Sequence, residues 1–135
     1  KEPRQELEFV ELELPELSEK QVLIEVSACA VCRTDLHVYD ADLKQPKLPL
    51  VLGHEIVGRV LKVAKGETVL QEGDRVAVAW LAETCRKCRY CLSGRENLCD
   101  NPVFTGYTRN GGFAKHTIAN AAFTFKIPEA LAAYK

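Results

Sequence analysis

The sequence has no methionine, almost no excess charge of either sign and no long apolar run. No stretch approaches the ~20 apolar residues that span a bilayer, and no signal-peptide pattern opens the chain, so no membrane contact is expected. With 18 basic against 19 acidic residues, it lacks the basic face that neutralises phosphates, so no nucleic acid is expected as a partner. Internal repeats and low-complexity segments are also missing. The glycines of "GYTRNGG" (106–112) have neither the G-x-G-x-x-G spacing nor the strand-to-helix setting of a dinucleotide-binding turn, so a Rossmann cofactor domain is absent from these residues. Starting at Lys1 without a methionine, the chain is expected to be a piece of a longer protein.

What is present is an ordinary globular composition, 47% hydrophobic and 27% charged, that reads as one domain over 1–135. A chain of this length buries about two thirds of its unfolded surface, enough for an apolar core without covalent staples. Strands are predicted where β-branched and aromatic residues recur: 6–14 (with a bulge near Phe9 and Val10), 21–28, 55–64, 74–80, 113–119 and 123–127. Turn residues separate them, among them Gly53, Gly66, Gly73, Gly94 and Gly111. A short helix is predicted around "RTDLHVY" (33–39), with Thr34 or Asp35 as its cap. Short strands with little helix give a mainly β fold, an antiparallel barrel or sandwich.

Four of the six cysteines fall within fifteen positions: Cys85, Cys88, Cys91 and Cys99, spaced C-x2-C-x2-C-x7-C. Three closely spaced thiolates and one returning thiolate suit the tetrahedral demand of zinc, and the set is read as a structural zinc lobe at about 83–100. Arg86, Lys87, Arg89 and Arg95 are expected to lower the thiol pKa values. Two disulfides are the competing reading, disfavoured by small strained rings and the lack of secretory context. A zinc ribbon would split its ligands into two distant knuckles.

A second constellation lies upstream in "CAVCRTDLH" (29–37) and "GHEIVG" (53–58). Cys32, His54 and Glu55, with Asp35 near them, make a mixed Cys/His/carboxylate set of the kind that leaves a coordination position open. Each also has a plain reading: Cys32 as a small buried hydrophobe, His54 as a hydrogen-bonded turn residue, Glu55 as a solvated strand edge. Cys29 is read as a buried free thiol and His116 as an exposed strand residue.

Taken in order, "CRTDLH", "GHEIVGRV", "EGDRV", "WLAETCRKCRYCLSGRENLC" and "FTGYTRNGGFAKH" resemble the catalytic domain of zinc-dependent alcohol dehydrogenases of the medium-chain family. The likeness covers nearly the whole chain. It implies a GroES-like, partly open β-barrel with short helices and a zinc-binding lobe. It implies Cys32 and His54 as catalytic zinc ligands, Glu55 as a carboxylate that can swing onto the metal, and Asp35 as the partner of His54. It further implies Thr34 and His37 as a proton relay, Arg33 (with His37) at the dinucleotide, and Trp80 in an alcohol pocket of the kind that takes small primary alcohols. The implied activity is zinc-assisted hydride transfer from a primary or secondary alcohol, or the reverse with an aldehyde, using NAD or NADP in a cytoplasmic, homo-oligomeric parent enzyme. Ala30 and Arg86 stand where relatives commonly have glycine, and Leu52 where proline is frequent. Relatives also carry a further catalytic-zinc cysteine soon after the "IPE" found here at 127–129, which these residues lack. The fragment is therefore expected to hold an incomplete catalytic site, to be inactive alone, and possible as a monomer; the alternative is a non-catalytic GroES-like zinc module.

Overall fold

A computed structural model describes residues 4, 6–44, 46–66 and 69–131. Its seven strands are β1 (Gln21–Ala30), β2 (Glu55–Val63), β3 (Arg75–Val78), β4 (Leu81–Glu83), β5 (Val103–Phe104), β6 (His116–Asn120) and β7 (Thr124–Lys126). Two short helices, α1 (Arg33–Tyr39) and α2 (Arg89–Leu92), join them. Five strands form one antiparallel sheet in the order β6-β1-β2-β3-β7, and β4 pairs with β5 in a separate two-stranded sheet. The large sheet is curled into a GroES-like half-barrel.

Alternation along the strands explains the core. Val22 and Ile24 of β1, Ile56 and Val60 of β2, and Val76 of β3 are almost wholly buried and meet in one cluster with Leu70, Val78, Ala119 and Ala121. Between them Glu25, Glu55 and Arg59 point to solvent, the period-two pattern of a sheet with one covered face. Each such valine or isoleucine contributes about 1.5–3 kcal/mol over leaving it exposed.

The predicted strand over 6–14 does not form. These residues adopt no regular structure and enter no ladder with any described residue, and Leu7, Phe9, Val10, Leu12 and Leu14 are all exposed. Alternation decides which side chains would share a face, but a strand also needs a neighbour to take up its backbone hydrogen bonds. The strand predicted at 113–119 begins only at His116, because the backbone N–H groups of Gly111, Gly112 and Phe113 instead bond the carbonyls of Val51, Gly53 and Leu52. His116 itself is half-buried opposite Glu25.

Candidate metal centres and the cleft between strands

Helix α1 starts differently from the expectation. Cys32, in extended backbone, is the cap, and Asp35 at the third helical position reaches back to accept the Cys32 N–H at 2.9 Å. That is the return half of a capping box. The other oxygen of Asp35 accepts the Gly53 N–H at 3.0 Å and lies 3.4 Å from Nδ1 of His54. Asp35 is only 3% exposed, so its desolvation must be offset by these bonds, each worth about 1.5–3 kcal/mol to a charged acceptor. One carboxylate thus ties the segment carrying Cys32 to the segment carrying His54.

The approach of His54 depends on glycine. Gly53 has φ +92°, and a Cβ there would fall 2.6 Å from the Phe113 ring and 2.7 Å from Cys29 Sγ. Opposite it, a Cβ on Gly111 would lie 2.0 Å from the Gly53 carbonyl oxygen. Only a bare backbone fits where these chains meet. Cys29 is half-buried and free, its thiol pushed up to about 11, mainly by burial.

Cys32, His54 and Glu55 come together with one ligand atom from each inside 4.8 Å. His54 is buried, and its Nδ1 has no satisfactory hydrogen bond. His54 and Glu55 line a cleft of about 520 Å³ together with Thr34, Val57, Ala77 and Trp80 among others, and Cys32 adjoins it through them. Cys32 Sγ lies 3.9 Å from the Thr34 hydroxyl. The Trp80 ring meets His54 edge-on at 4.9 Å. His37 sits one turn beyond Thr34 on α1, partly exposed, with Nδ1 2.9 Å from Asp42. Arg33 is exposed at the start of the helix.

The second cluster is local. Cys85, Cys88, Cys91 and Cys99 also bring their sulfurs within 4.8 Å of one another, and none is in a disulfide. The Cys88–Cys91 and Cys85–Cys91 separations are 3.5 and 4.0 Å. A tetrahedron of sulfurs ~2.3 Å from a zinc ion has edges of about 3.8 Å, so the spacing fits that ion. Backbone N–H groups of Cys85 and Asn101 each donate to Cys99 Sγ at 3.3 Å.

The thiol pKa values have a different origin from the one expected. The Cys88 thiol is drawn down to about 6, first by the backbone N–H groups of Cys91 and Asp100, and Cys85 is lowered first by those of Lys87 and Cys88. Arg89 and Arg95 instead stack on the Tyr90 ring. Burial pushes the Cys91 thiol up to about 11.

Sequence reasoning missed the two backbone bonds of Asp35 and the aromatic layer behind Trp80. Phe104 stacks on the indole at 4.7 Å and Tyr107 at 5.8 Å. Both residues fall in the "FTGYTRNGGFAKH" stretch, but nothing in "FTGYT" signals that its rings stack on a residue 24 and 27 positions earlier.

A curled GroES-like sheet bearing a four-cysteine lobe and a Cys/His/Glu cleft is the architecture of the metal-binding domain of zinc-binding dehydrogenases. The sequence matches the alcohol dehydrogenase GroES-like domain over residues 18–129, and the chain belongs to that family. An alcohol dehydrogenase of Geobacillus stearothermophilus is 47% identical over 126 residues, which cover 93% of this chain and 37% of that protein. Among solved structures, the cinnamyl alcohol dehydrogenase SbCAD4 of Sorghum bicolor superposes with a TM-score of 0.82 at 34% identity, over 90% of this chain and 37% of its own. A protein of Sinorhizobium meliloti 1021 described as a zinc-binding dehydrogenase, bound to NADP, gives 0.83 at 31% identity over 90% of this chain and 35% of its own. The chain therefore spans little more than a third of the length of these relatives.

Proposed function

We propose that this chain is the catalytic domain of a zinc-dependent alcohol dehydrogenase, whose parent enzyme moves a hydride between a small alcohol or aldehyde and NAD or NADP. The observation that carries this reading is the Cys32, His54 and Glu55 cluster, two of whose members, His54 and Glu55, line a cleft that also exposes Thr34 and Trp80. A structural lobe alone has no use for it.

The donor set suits zinc: one soft sulfur, one imidazole and one carboxylate, with the orphaned Nδ1 of His54 turned to Asp35 so that Nε2 is left for a ligand. When bound there, zinc would act as a Lewis acid that makes the alcohol proton easier to lose. Asp35 orients the imidazole and fixes the Cys32 segment. The Thr34 hydroxyl, lining the cleft, accepts the alcohol proton as it releases its own toward His37, three residues on and so on the same helical face, which passes it to solvent. Asp42, 2.9 Å from His37 Nδ1, orients that ring. Arg33 offers a planar fork of donors to the pyrophosphate of the dinucleotide. Trp80 bounds the alcohol's side chain. Cys85, Cys88, Cys91 and Cys99 would hold a second zinc in a structural role.

Chelator titration of the zinc-loaded chain tests the reading. Two equivalents of zinc are expected, one labile and abolished by His54→Ala, the other resistant and indifferent to it. A single resistant equivalent in both proteins would favour a non-catalytic zinc module instead. With two strong ligands and Glu55 in the cleft, and no dinucleotide-binding fold to bring the nicotinamide within reach, alcohol-dependent reduction of NAD by these residues alone is expected to be undetectable.

A further inference from the structure

The aromatic layer behind the cleft has a construction that the chemistry above does not use. Trp80 closes one side of the cleft, yet Phe104 and Tyr107, stacked behind it, are not among the residues lining that space. The backbone under the indole is pinned from the same side: the Thr105 N–H donates to the Trp80 carbonyl at 2.9 Å, and the Thr105 hydroxyl to that of Ala79 at 2.8 Å. Tyr107 is in turn clamped at two points to the segment that follows α1. Its phenol donates to the Lys44 carbonyl, and its own carbonyl accepts the Lys47 N–H at 2.9 Å. The Lys47 ammonium adds bonds to the Pro49 carbonyl and to Asn110, the latter at 3.0 Å. Its neighbour Gly106 is buried against Gly53, so the turn that carries these rings rests on the backbone just before His54.

A lone indole at a strand end could swing and let the cleft widen; one held between a pinned backbone and two stacked rings cannot do so without unstacking. Building on the alcohol dehydrogenase reading, we propose that Tyr107 is a positioning residue that locks Trp80 as a rigid wall and so restricts the cleft to small, unbranched alcohols and aldehydes. Tyr107 acts through two connections that can be separated by substitution. Its ring supports the indole, and its hydroxyl ties that support to the Lys44 segment. Selectivity here is steric, and a wall that moves by the width of a methylene or two changes discrimination by about tenfold or more.

Trp80 is the sole tryptophan, so its fluorescence reports on this wall without contribution from elsewhere. The zinc-loaded chain, its Tyr107→Phe and Tyr107→Ala variants, and a Phe125→Ala control on exposed β7 would be compared by acrylamide quenching of Trp80. They would also be compared by fluorescence titration with ethanol, 1-hexanol and benzyl alcohol. Tyr107→Phe, which keeps the stack and loses the phenolic tie, should raise the quenching constant modestly; Tyr107→Ala should raise it several-fold, and the control should leave it unchanged. Preference for ethanol over the larger alcohols should fall about tenfold in Tyr107→Ala and recover most of the way in Tyr107→Phe, with both zinc equivalents retained. Unaltered quenching, or unaltered selectivity, in Tyr107→Ala would overturn the proposal. Loss of the resistant zinc in that variant would also overturn it, by showing that Tyr107 supports the fold at large. If none of the proteins responds to any alcohol although quenching changes as expected, the size filter falls while Tyr107 keeps its hold on Trp80; the alcohol dehydrogenase reading is decided separately, by the labile zinc equivalent that depends on His54.

Discussion

The two candidate metal-binding regions reach similar ligand spacing by opposite routes. In the thiol lobe all four donors come from one stretch of fifteen residues, and the turns between them, including α2 capped at Cys88, supply the backbone N–H groups that stabilise the sulfurs. In the cleft the donors come from residues 22 positions apart, Cys32 at the cap of α1 and His54 ahead of β2, and they meet because Asp35 bonds to both segments. A site built from one loop closes around its ion and depends on it. A site assembled between elements can leave one side open, and here that side is a cleft with a hydroxyl and an indole in it.

The largest effect that separates the regions should come from Cys88→Ser. Structural zinc supplies on the order of 10 kcal/mol of apparent binding free energy, so this variant should lose the resistant zinc and expose residues 83–100 to proteolysis. Metal analysis with limited digestion decides it; four thiols found paired as disulfides in the purified protein would remove the zinc reading of the lobe. Asp35→Asn should act on the other region alone. Weakening the tie between Cys32 and Gly53 and removing the charge facing His54 should lower zinc affinity in the cleft by about 10–100-fold. Competition with a chelator of known affinity measures this, and an equal loss from the lobe would contradict the independence of the two sites.

A smaller effect of opposite sign is expected within the lobe. Arg86 is exposed at φ +56°, a left-handed conformation that costs a side chain with a Cβ and costs glycine little. Arg86→Gly should therefore stabilise the folded lobe by about 0.5–1 kcal/mol, seen as higher zinc affinity without change in the cleft. The smallest effect should spare both sites. Lys126 on β7 lies 2.7 Å from Asp74, and its hydrogen bond is the main reason the Asp74 carboxyl titrates below the usual range. Because the folded pKa is depressed, the stabilisation is fully present above the ordinary aspartate value and is lost as pH falls through the folded one. Lys126→Met should move the acid-unfolding midpoint to higher pH while leaving the zinc stoichiometry at neutral pH unchanged.

Legibility of these features in the sequence followed the distance over which each is decided. Strands β1 and β2 lie where β-branched alternation placed them, because Val22, Ile24, Ile56 and Val60 both prefer extended backbone and share a face. Residues 6–14 also alternate, with one slip near Phe9 and Val10, and form no strand with any described residue, because pairing is not a property of one segment. The arginines of the lobe were plausible partners for its thiols from their proximity in sequence, but side-chain direction sent Arg89 and Arg95 to Tyr90 and left the backbone to perform that task.

By itself the sequence determined the β character of the chain, the four-thiol lobe and the family, since each rests on local periodicity, local spacing or ordered motifs. Tertiary structure alone decided that the Asp35 carboxylate joins two ligand segments, that bare glycine backbones let the His54 segment approach, and that Trp80 is backed by Phe104 and Tyr107. Apart from the local Cys32–Asp35 bond, these are contacts between residues 18 to 60 positions apart. Their existence depends on how the curled sheet brings separate turns together, which no local pattern encodes.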